Sequence, residues 1–219
     1  MSRRISRRRI IGRVFRTIHK AKISKWFIVG MFVGEVYYQV PARTYDIDIC
    51  LFLDPEEDRL EFFLKKLVKV LRVRREDITP WDEFMRKIRE GQTLVIEPLC
   101  NIDFHIDIIP ITPENEFYAV FREAYDNRIA VKWGKMEIQI PTREYWICLK
   151  LVGFRSKDKY HLIEMLRSYN ILGLKINVKK LNAILSKYPI LRTRWNELLK
   201  IAESEYGLYI DKDGRILKR

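Results

Sequence analysis

The chain has 219 residues, of which 47% are hydrophobic and 32% charged, and its formal net charge is +13. This composition excludes a disordered polyelectrolyte, because the apolar content is that of a chain that buries a core. Cys50, Cys100 and Cys148 are widely spaced and odd in number, which argues against a disulfide framework and against zinc sites built on cysteine pairs. No apolar run has the length of a membrane span, and no apolar segment of a secretory signal follows the basic start. We therefore expect a cytoplasmic, non-membrane protein of one to one and a half domains.

The positive charge is concentrated on both sides of an acidic middle. Residues 1–34 hold ten Lys or Arg and no Asp or Glu, and residues 150–200 hold twelve basic and three acidic residues. Residues 35–149 hold sixteen basic and twenty-two acidic residues, and residues 201–219 hold four of each. Basic flanks around an acidic block suit a polyanion such as nucleic acid. The competing interpretation is that the excess only keeps the protein soluble or reflects a lysine-rich thermophilic proteome.

The N-terminal segment predicts a basic helix that leads into a short strand. Apolar residues recur at i, i+3 and i+4 spacing over residues 8–24, with Arg and Lys between them. A basic amphipathic helix can lie on a membrane, but residues 1–24 run directly into an apolar strand at 26–29, so we expect packing on the domain. Gly30 then predicts a tight turn into a helix over 31–38.

The stretch from Tyr45 to Leu53 has strand periodicity and two aspartates on one face. Its isoleucines and leucines share one face, whereas Asp46, Asp48 and Cys50 share the other, because side chains alternate along a strand. Neighbouring carboxylates are costly to bury together unless a cation compensates them. Mg²⁺ commonly combines one or two protein carboxylates with the phosphate oxygens of a substrate. The stretch therefore predicts a site for a metal and a phosphate.

The following segment predicts a helix and then a hairpin. Residues 54–72 have a helical stripe, and Asp54 is the expected N-cap of that helix. Residues 80–90 fit either a short helix or a lid-like loop. Residues 93–97 and 102–109 are expected to pair as two strands.

The strand at 102–109 has Asp103, His105 and Asp107 on one face. Considered alone, such a face is typical of the solvated side of an antiparallel sheet. We expect His105, a lone histidine beside carboxylates, to be a hydrogen-bond partner rather than a metal ligand or a base.

The last third of the chain predicts mainly helices, with Gly173 and Pro189 at connections. We expect residues 25–140 to form the core of the domain and residues 141–219 a helical region, which makes the fold class α+β. The expected elements are a helix at 117–125, strands at 128–131 and 136–140, helices at 143–152, 158–171, 177–187 and 190–205, and a strand-like or loose tail from Gly207.

The order of these motifs resembles a known family. A strand that ends in Gly30, then Arg43-Thr44 and Asp46-Ile47-Asp48-Ile49, resembles the nucleotidyltransferase fold of the DNA polymerase beta superfamily. The similarity is greatest to AbiEii-type toxins and related small prokaryotic stand-alone nucleotidyltransferases. The segment at 140–158, I-P-T-R-E-Y-W-I-C-L-K-L-V-G-F-R-S-K-D, is similar to that branch's helix entry and its later R-x-K-D. The resemblance extends over about residues 25–165 and implies a mixed sheet flanked by helices, with a helical C-terminal part.

The resemblance implies a set of catalytic carboxylates. In that family the two aspartates of the D-x-D motif bind the metals, and a later strand supplies a third carboxylate. Asp46 and Asp48 match the first pair, and Asp107 is the best match for the third, with Asp103 as the alternate. The implied cofactors are two Mg²⁺ ions, and the implied substrate is an NTP.

The resemblance also implies a set of residues that contact the substrate phosphates. Met31 is a departure, because the family usually has a second small residue there and methionine adds bulk without a hydroxyl. Arg43 has the alternative of an ordinary surface ion pair, and Asp158 has the alternatives of orienting a neighbouring cation or capping a helix. The full set is Gly30, Met31, Arg43, Thr44, Lys150, Lys157 and Asp158.

The function expected from the sequence is therefore metal-dependent transfer of NMP from an NTP to an acceptor hydroxyl. The basic flanks favour RNA as the acceptor, with a tRNA end as one candidate. Met31 and the concentrated positive charge keep an alternative open: a weak or inactive protein of the same fold that binds nucleic acid or a toxin–antitoxin partner protein. A basic α/β domain with an ion-paired surface is the third interpretation.

Overall fold

The chain has an α+β fold in a computed structural model that describes residues 6–53, 59–78, 80–99 and 103–219. Among these residues, no helix is both long enough and apolar enough to cross a membrane. The helices are α1 (Arg7–Ala21), α2 (Gly30–Tyr37), α3 (Arg59–Leu71), α4 (Trp81–Arg89), α5 (Tyr118–Asp126), α6 (Arg143–Gly153), α7 (Ser156–Leu172), α8 (Val178–Leu185) and α9 (Pro189–Tyr206). The strands are β1 (Trp26–Val29), β2 (Asp46–Phe52), β3 (Leu94–Ile96), β4 (His105–Ile111), β5 (Ile129–Trp133), β6 (Met136–Ile140), β7 (Leu208–Ile210) and β8 (Ile216–Lys218).

These elements follow the predicted ones closely, with two points resolved. Residues 80–90, predicted as a short helix or a lid-like loop, contain helix α4. The tail beyond Gly207 forms the antiparallel pair β7–β8 rather than a loose end. The expected cap at Asp54 and the thiol of Cys100 lie outside the described residues.

The chain divides into two compact units, each assembled from separated stretches. The predicted segments 1–24, 25–140 and 141–219 are a different division, which stays a prediction. The first unit, here the sheet unit, contains the described residues within Met1–Ile28, Tyr45–Tyr118 and Ile129–Ile140. The second unit, here the helical unit, contains the described residues within Val29–Thr44, Ala119–Arg128 and Pro141–Arg219.

The sheet unit is organised around a four-stranded mixed sheet of order β1-β2-β4-β3. β2 and β4 are parallel neighbours, and β3 pairs antiparallel with β4. The latter pairing is the hairpin predicted between 93–97 and 102–109. The sheet thus brings two strands that are far apart in the sequence into direct contact.

Helices α1 and α3 pack against each other within the sheet unit. The apolar stripe of α1 is fully buried, as its periodicity predicts, and includes Val14, Phe15 and Ile18. The helix ends at Ala21 because Lys22 takes the left-handed conformation, where its N–H bonds to the carbonyl of His19. This packing leaves the Arg and Lys side chains between the apolar positions on the outside of α1.

The helical unit includes α6 to α9 and the β7–β8 pair. Helix α6 contacts α2, α7, α8 and α9, so it lies at the centre of this unit. The turn before β8 needs a glycine: Gly214 has φ +80°, and a Cβ there would lie 2.0 Å from the carbonyl oxygen of Ile176. Its own carbonyl accepts a hydrogen bond from the Ile176 N–H at 2.9 Å. Backbone contacts therefore hold the turn between β7 and β8 against the segment that joins α7 to α8.

Candidate metal centre on two adjacent strands

The parallel register of β2 and β4 places four polar residues in a two-by-two array. Asp46 lies opposite His105, and Asp48 lies opposite Asp107. Residues two apart on a strand share a face, so all four project from the same side of the sheet. The D-x-D motif of β2 and the H-x-D motif of β4 thus form one polar surface.

Three of these side chains converge on a small volume. His105 Nε2 lies 3.8 Å from Asp46 Oδ2 and 3.7 Å from Asp107 Oδ1. One possible ligand atom from each of the three residues falls within 4.8 Å of the others. Asp48 is not a member of this closest group, although the sequence places it beside Asp46 as the second aspartate of the motif. The predicted metal ligands are therefore together on one face, with the histidine among them.

The array lies where the polar face of the sheet opens to solvent. The side chains of Asp46 and Asp107 are 20% and 19% exposed. Further along the same face of β2, Cys50 and Phe52 are buried. Burial raises the pKa of the Cys50 thiol well above its usual value, and the nearby charge of Asp48 raises it further. Cys50 is therefore a protonated, inert thiol that closes the inner end of the array.

The donor set fits a divalent cation. Carboxylate oxygens are the ligands that Mg²⁺ and Mn²⁺ prefer, and an imidazole nitrogen is a common ligand of transition-metal ions. The Asp107 Oδ1 atom is shielded from solvent, whereas the side chains of Asp46 and His105 are partly exposed. Partial exposure of the other groups leaves room for substrate oxygens and water in the remaining coordination positions.

Asp103, the alternate for the third carboxylate, lies outside β4. It occupies an exposed turn ahead of the strand, whereas Asp107 lies within the strand opposite Asp48. The strand begins at His105, two residues later than the alternation Asp103-His105-Asp107 indicates. The shared face predicted for these three residues therefore holds for His105 and Asp107.

The residues predicted to contact phosphate belong to the helical unit. Gly30 has φ +71°, the left-handed conformation that its turn from β1 into α2 requires. Its carbonyl accepts a 2.7 Å hydrogen bond from Trp146 Nε1, which anchors the turn to α6. The Met31 side chain is buried, and its methyl carbon would lie 3.0 Å from a Cβ added to Gly34. The Met31 side chain is thus buried beside Gly34 of its own helix.

Thr44 and Arg43 differ in exposure. Thr44 is buried, and its backbone N–H donates to Glu35 Oε2 at 3.1 Å. Arg43 is exposed. The loop before the D-x-D strand is therefore tied to α2 through the Thr44 backbone, next to an arginine side chain at the surface.

Lys150 and Asp158 form a buried ion pair. Lys150 Nζ lies 3.2 Å from Asp158 Oδ1, and both side chains are almost fully buried. Arg155 Nε donates to the other carboxylate oxygen at 2.9 Å, and the Arg155 backbone N–H also donates to it, as in a capping box at the start of α7. Asp158 thus caps a helix and orients a lysine, and Lys157 next to it is exposed.

The charge of Asp158 is stabilised in the folded state. Burial alone would raise the pKa of this carboxyl, but the hydrogen bonds and charges of Arg155 and Lys150 outweigh burial and lower the pKa. The carboxylate form is therefore favoured by folding.

No protein-family model matches the chain, and no curated protein does.

Asp158→Asn is expected to lower the free energy of unfolding by roughly 3 kcal/mol at pH 7, because Lys150 would keep a buried charge without its counter-charge. Since the folded pKa of Asp158 is lowered, its contribution is complete above the pKa of the unfolded carboxyl, about 3.9, and is lost as the pH falls through the folded pKa. Urea unfolding at a series of pH values measures both effects.

The matched control for this variant is the double substitution Lys150→Met, Asp158→Asn, which removes both charges. It is expected to be more stable than Asp158→Asn alone. Equal stability of the two variants would show that the Lys150 charge has no part in the loss.

Proposed function

We propose that this chain is a metal-dependent nucleotidyltransferase, with a nucleotidyltransferase-type sheet, that moves NMP from an NTP to an acceptor hydroxyl. The observation that carries the proposal is the register of β2 and β4, which pairs Asp48 with Asp107 beside Asp46 and His105. Carboxylates held on neighbouring strands and partly open to solvent suit a divalent cation that also binds substrate phosphate. The resemblance to nucleotidyltransferases also supports the proposal. It rests on the order along the chain of Gly30, the D-x-D strand and the later carboxylate strand.

The proposed reaction exchanges one phosphorus–oxygen bond for another. The acceptor hydroxyl oxygen bonds to the α-phosphorus, the bond from that phosphorus to the bridging oxygen breaks, pyrophosphate leaves, and the hydroxyl proton passes to solvent. When bound, two Mg²⁺ ions supply charge neutralisation of the leaving group and a lower pKa of the hydroxyl. Asp46, Asp48 and Asp107 are the proposed ligands of these ions. Because their backbone is fixed by sheet pairing, these carboxylates need little reorganisation on binding.

The residues proposed to contact the nucleotide phosphates are those that the resemblance implies. The left-handed turn at Gly30 has the geometry through which backbone amides bind anions, and Met31 would contribute its N–H rather than its buried side chain. Lys150 has its ammonium oriented by Asp158. The proposed set remains Gly30, Met31, Arg43, Thr44, Lys150, Lys157 and Asp158.

RNA is the proposed acceptor, with a tRNA end as one candidate, on the strength of a basic surface on the sheet unit. Helix α1 contains no Asp or Glu, and its exposed side chains are those of Arg, Lys and His19. Lys65 and Lys69 of helix α3, which packs against α1, are also exposed, and Lys65 Nζ pairs with Glu61 Oε1 at 2.6 Å. Dense cationic side chains bind phosphate backbones and release counterions. The basic helix face consists of Arg8, Arg9, Arg16 and Lys20 of α1 and Lys65 and Lys69 of α3.

The same basic helix face favours a second candidate function. A protein of this fold could bind nucleic acid, or a toxin–antitoxin partner protein, without catalysing transfer. That function requires the basic face and leaves the carboxylate array without a role. The two candidates differ in whether nucleotide turnover accompanies RNA binding.

Asp46→Asn and Asp107→Asn are each expected to reduce transfer of label from an α-³²P NTP into total cellular RNA by at least about a hundredfold, since each removes a charged metal ligand. Asp82→Asn, in an exposed position on α4, is the control and should transfer label like the wild type. Transfer that persists in both array variants would contradict the proposal. RNA binding without any turnover in the wild type would support the non-catalytic candidate.

Replacement of Arg16 and Lys20 by Gln is expected to weaken RNA binding and to reduce the slope of log K against log salt by about one to two units, because each lost phosphate contact removes one released counterion. The control replaces Arg192 and Lys200, exposed on α9, and changes the net charge equally. Fluorescence anisotropy over a salt series measures the slope. Equal losses in both variants would mean that the attraction is general charge and not the basic helix face.

A further inference from the structure

His105 occupies the position between two carboxylates of the array. It lies opposite Asp46 in the register and two residues from Asp107 on the same strand face. Its Nε2 atom is at nearly equal distances, 3.8 and 3.7 Å, from an oxygen of each. The sequence alone favoured a hydrogen-bond partner for this residue, and the distances exceed those of a hydrogen bond.

The two separations from His105 Nε2 are compatible with a coordination shell, and the ligand atoms of the three residues all lie within 4.8 Å of one another. Metal–ligand bonds of about 2.0 to 2.2 Å separate neighbouring ligand atoms by roughly 3 to 4 Å. The separations from His105 Nε2 to the two carboxylates fall within this range. The alternative role for His105 is that of a protonated counter-charge that neutralises Asp46 and Asp107, and this alternative makes the opposite prediction for metal affinity.

The identity of the donors determines which ion the group prefers. Mg²⁺ takes oxygen ligands almost exclusively and keeps several waters, so a nitrogen donor contributes little to its binding. Mn²⁺ accepts the same carboxylate and phosphate oxygens and binds imidazole more strongly than Mg²⁺ does. Two carboxylates with one imidazole are therefore a donor set that favours Mn²⁺ over Mg²⁺.

We propose that His105 is a direct metal ligand, together with Asp46 and Asp107, and that it makes this centre selective for Mn²⁺ over Mg²⁺. The inference rests on the proposed function and specifies one of its metal ligands. It changes the expected ion at one of the two metal positions from Mg²⁺ to Mn²⁺. Asp48 lies outside the three-atom group and is the proposed ligand of the other, oxygen-bound ion.

Metal binding to the full chain without nucleotide tests the proposal. The free-ion EPR signal of Mn²⁺ gives its affinity, and displacement by Mg²⁺ gives the affinity for the competitor. The wild type is expected to bind Mn²⁺ at least about tenfold more tightly than Mg²⁺. His105→Gln replaces the nitrogen donor by an amide oxygen, so most of this preference should be lost while Mg²⁺ affinity changes little.

The control is His19→Gln, which alters an exposed histidine on α1 and should leave both affinities unchanged. Pulsed EPR of Mn²⁺ bound to the wild type should show ¹⁴N coupling from a coordinated imidazole, and this readout does not depend on the variant's folding. The coupling should be absent in His105→Gln and present in His19→Gln.

Three results would overturn the proposal. Tighter binding of both ions by His105→Gln would show that His105 is a counter-charge. Unchanged selectivity with no ¹⁴N coupling, while Asp46→Asn still abolishes binding, would remove His105 from the centre and leave the proposed function standing. No binding of either ion to the wild type, with or without NTP, would overturn the proposed function as well.

Discussion

The in-register parallel pairing of β2 with β4 is the constraint on which the candidate site depends. It places acidic groups from distant parts of the chain directly opposite each other, which is unfavourable unless a cation compensates them. The register is fixed from the other side of the sheet, where the alternate residues of both strands are apolar and fully buried. A slip of one residue would expose these apolar side chains and bury the carboxylates. The residues that fix the register in this way are Ile47, Ile49, Ile106 and Ile108.

The hydrophobic core and the candidate site therefore lie on opposite faces of the same two paired strands, β2 and β4. Burial of the apolar face provides the free energy that keeps the strands paired. This free energy offsets the electrostatic repulsion between the carboxylates on the polar face. The cost is limited because the array lies at the solvent-accessible end of the polar face, before Cys50 and Phe52 close it. A bound metal ion would offset the remaining repulsion between the carboxylates, because it would attract each of them.

Local patterns were sufficient to predict much of this structure. Alternation identified β2 with its two aspartates, helical periodicity identified α1 and α6 to α9, and Gly30 was assigned to a turn that proves to need a left-handed residue. The position of His105 could not be predicted in the same way. Whether H-x-D faces D-x-D depends on strand order and register, and both are set by contacts distant in the sequence. The available signal was a histidine two residues before a strand carboxylate. This signal indicates a metal ligand only when the neighbouring strand is known.

The directions of individual side chains could not be predicted from the sequence either. Met31 was the main feature against a phosphate site, because its bulk was expected at the turn, yet its side chain packs in the core beside Gly34. Lys150 was assigned to phosphate by resemblance, and the fold pairs it with Asp158. Such a pair can hold an ammonium in a fixed orientation.

A crystal structure of the protein with Mn²⁺ and a non-hydrolysable NTP analogue would test the central claim most directly. The account predicts an anomalous peak in contact with Asp46 and Asp107, with triphosphate oxygens of the analogue completing its coordination. An anomalous map without a peak at these carboxylates, or an analogue bound away from them, would contradict the assignment of the β2–β4 face as a nucleotidyl-transfer centre.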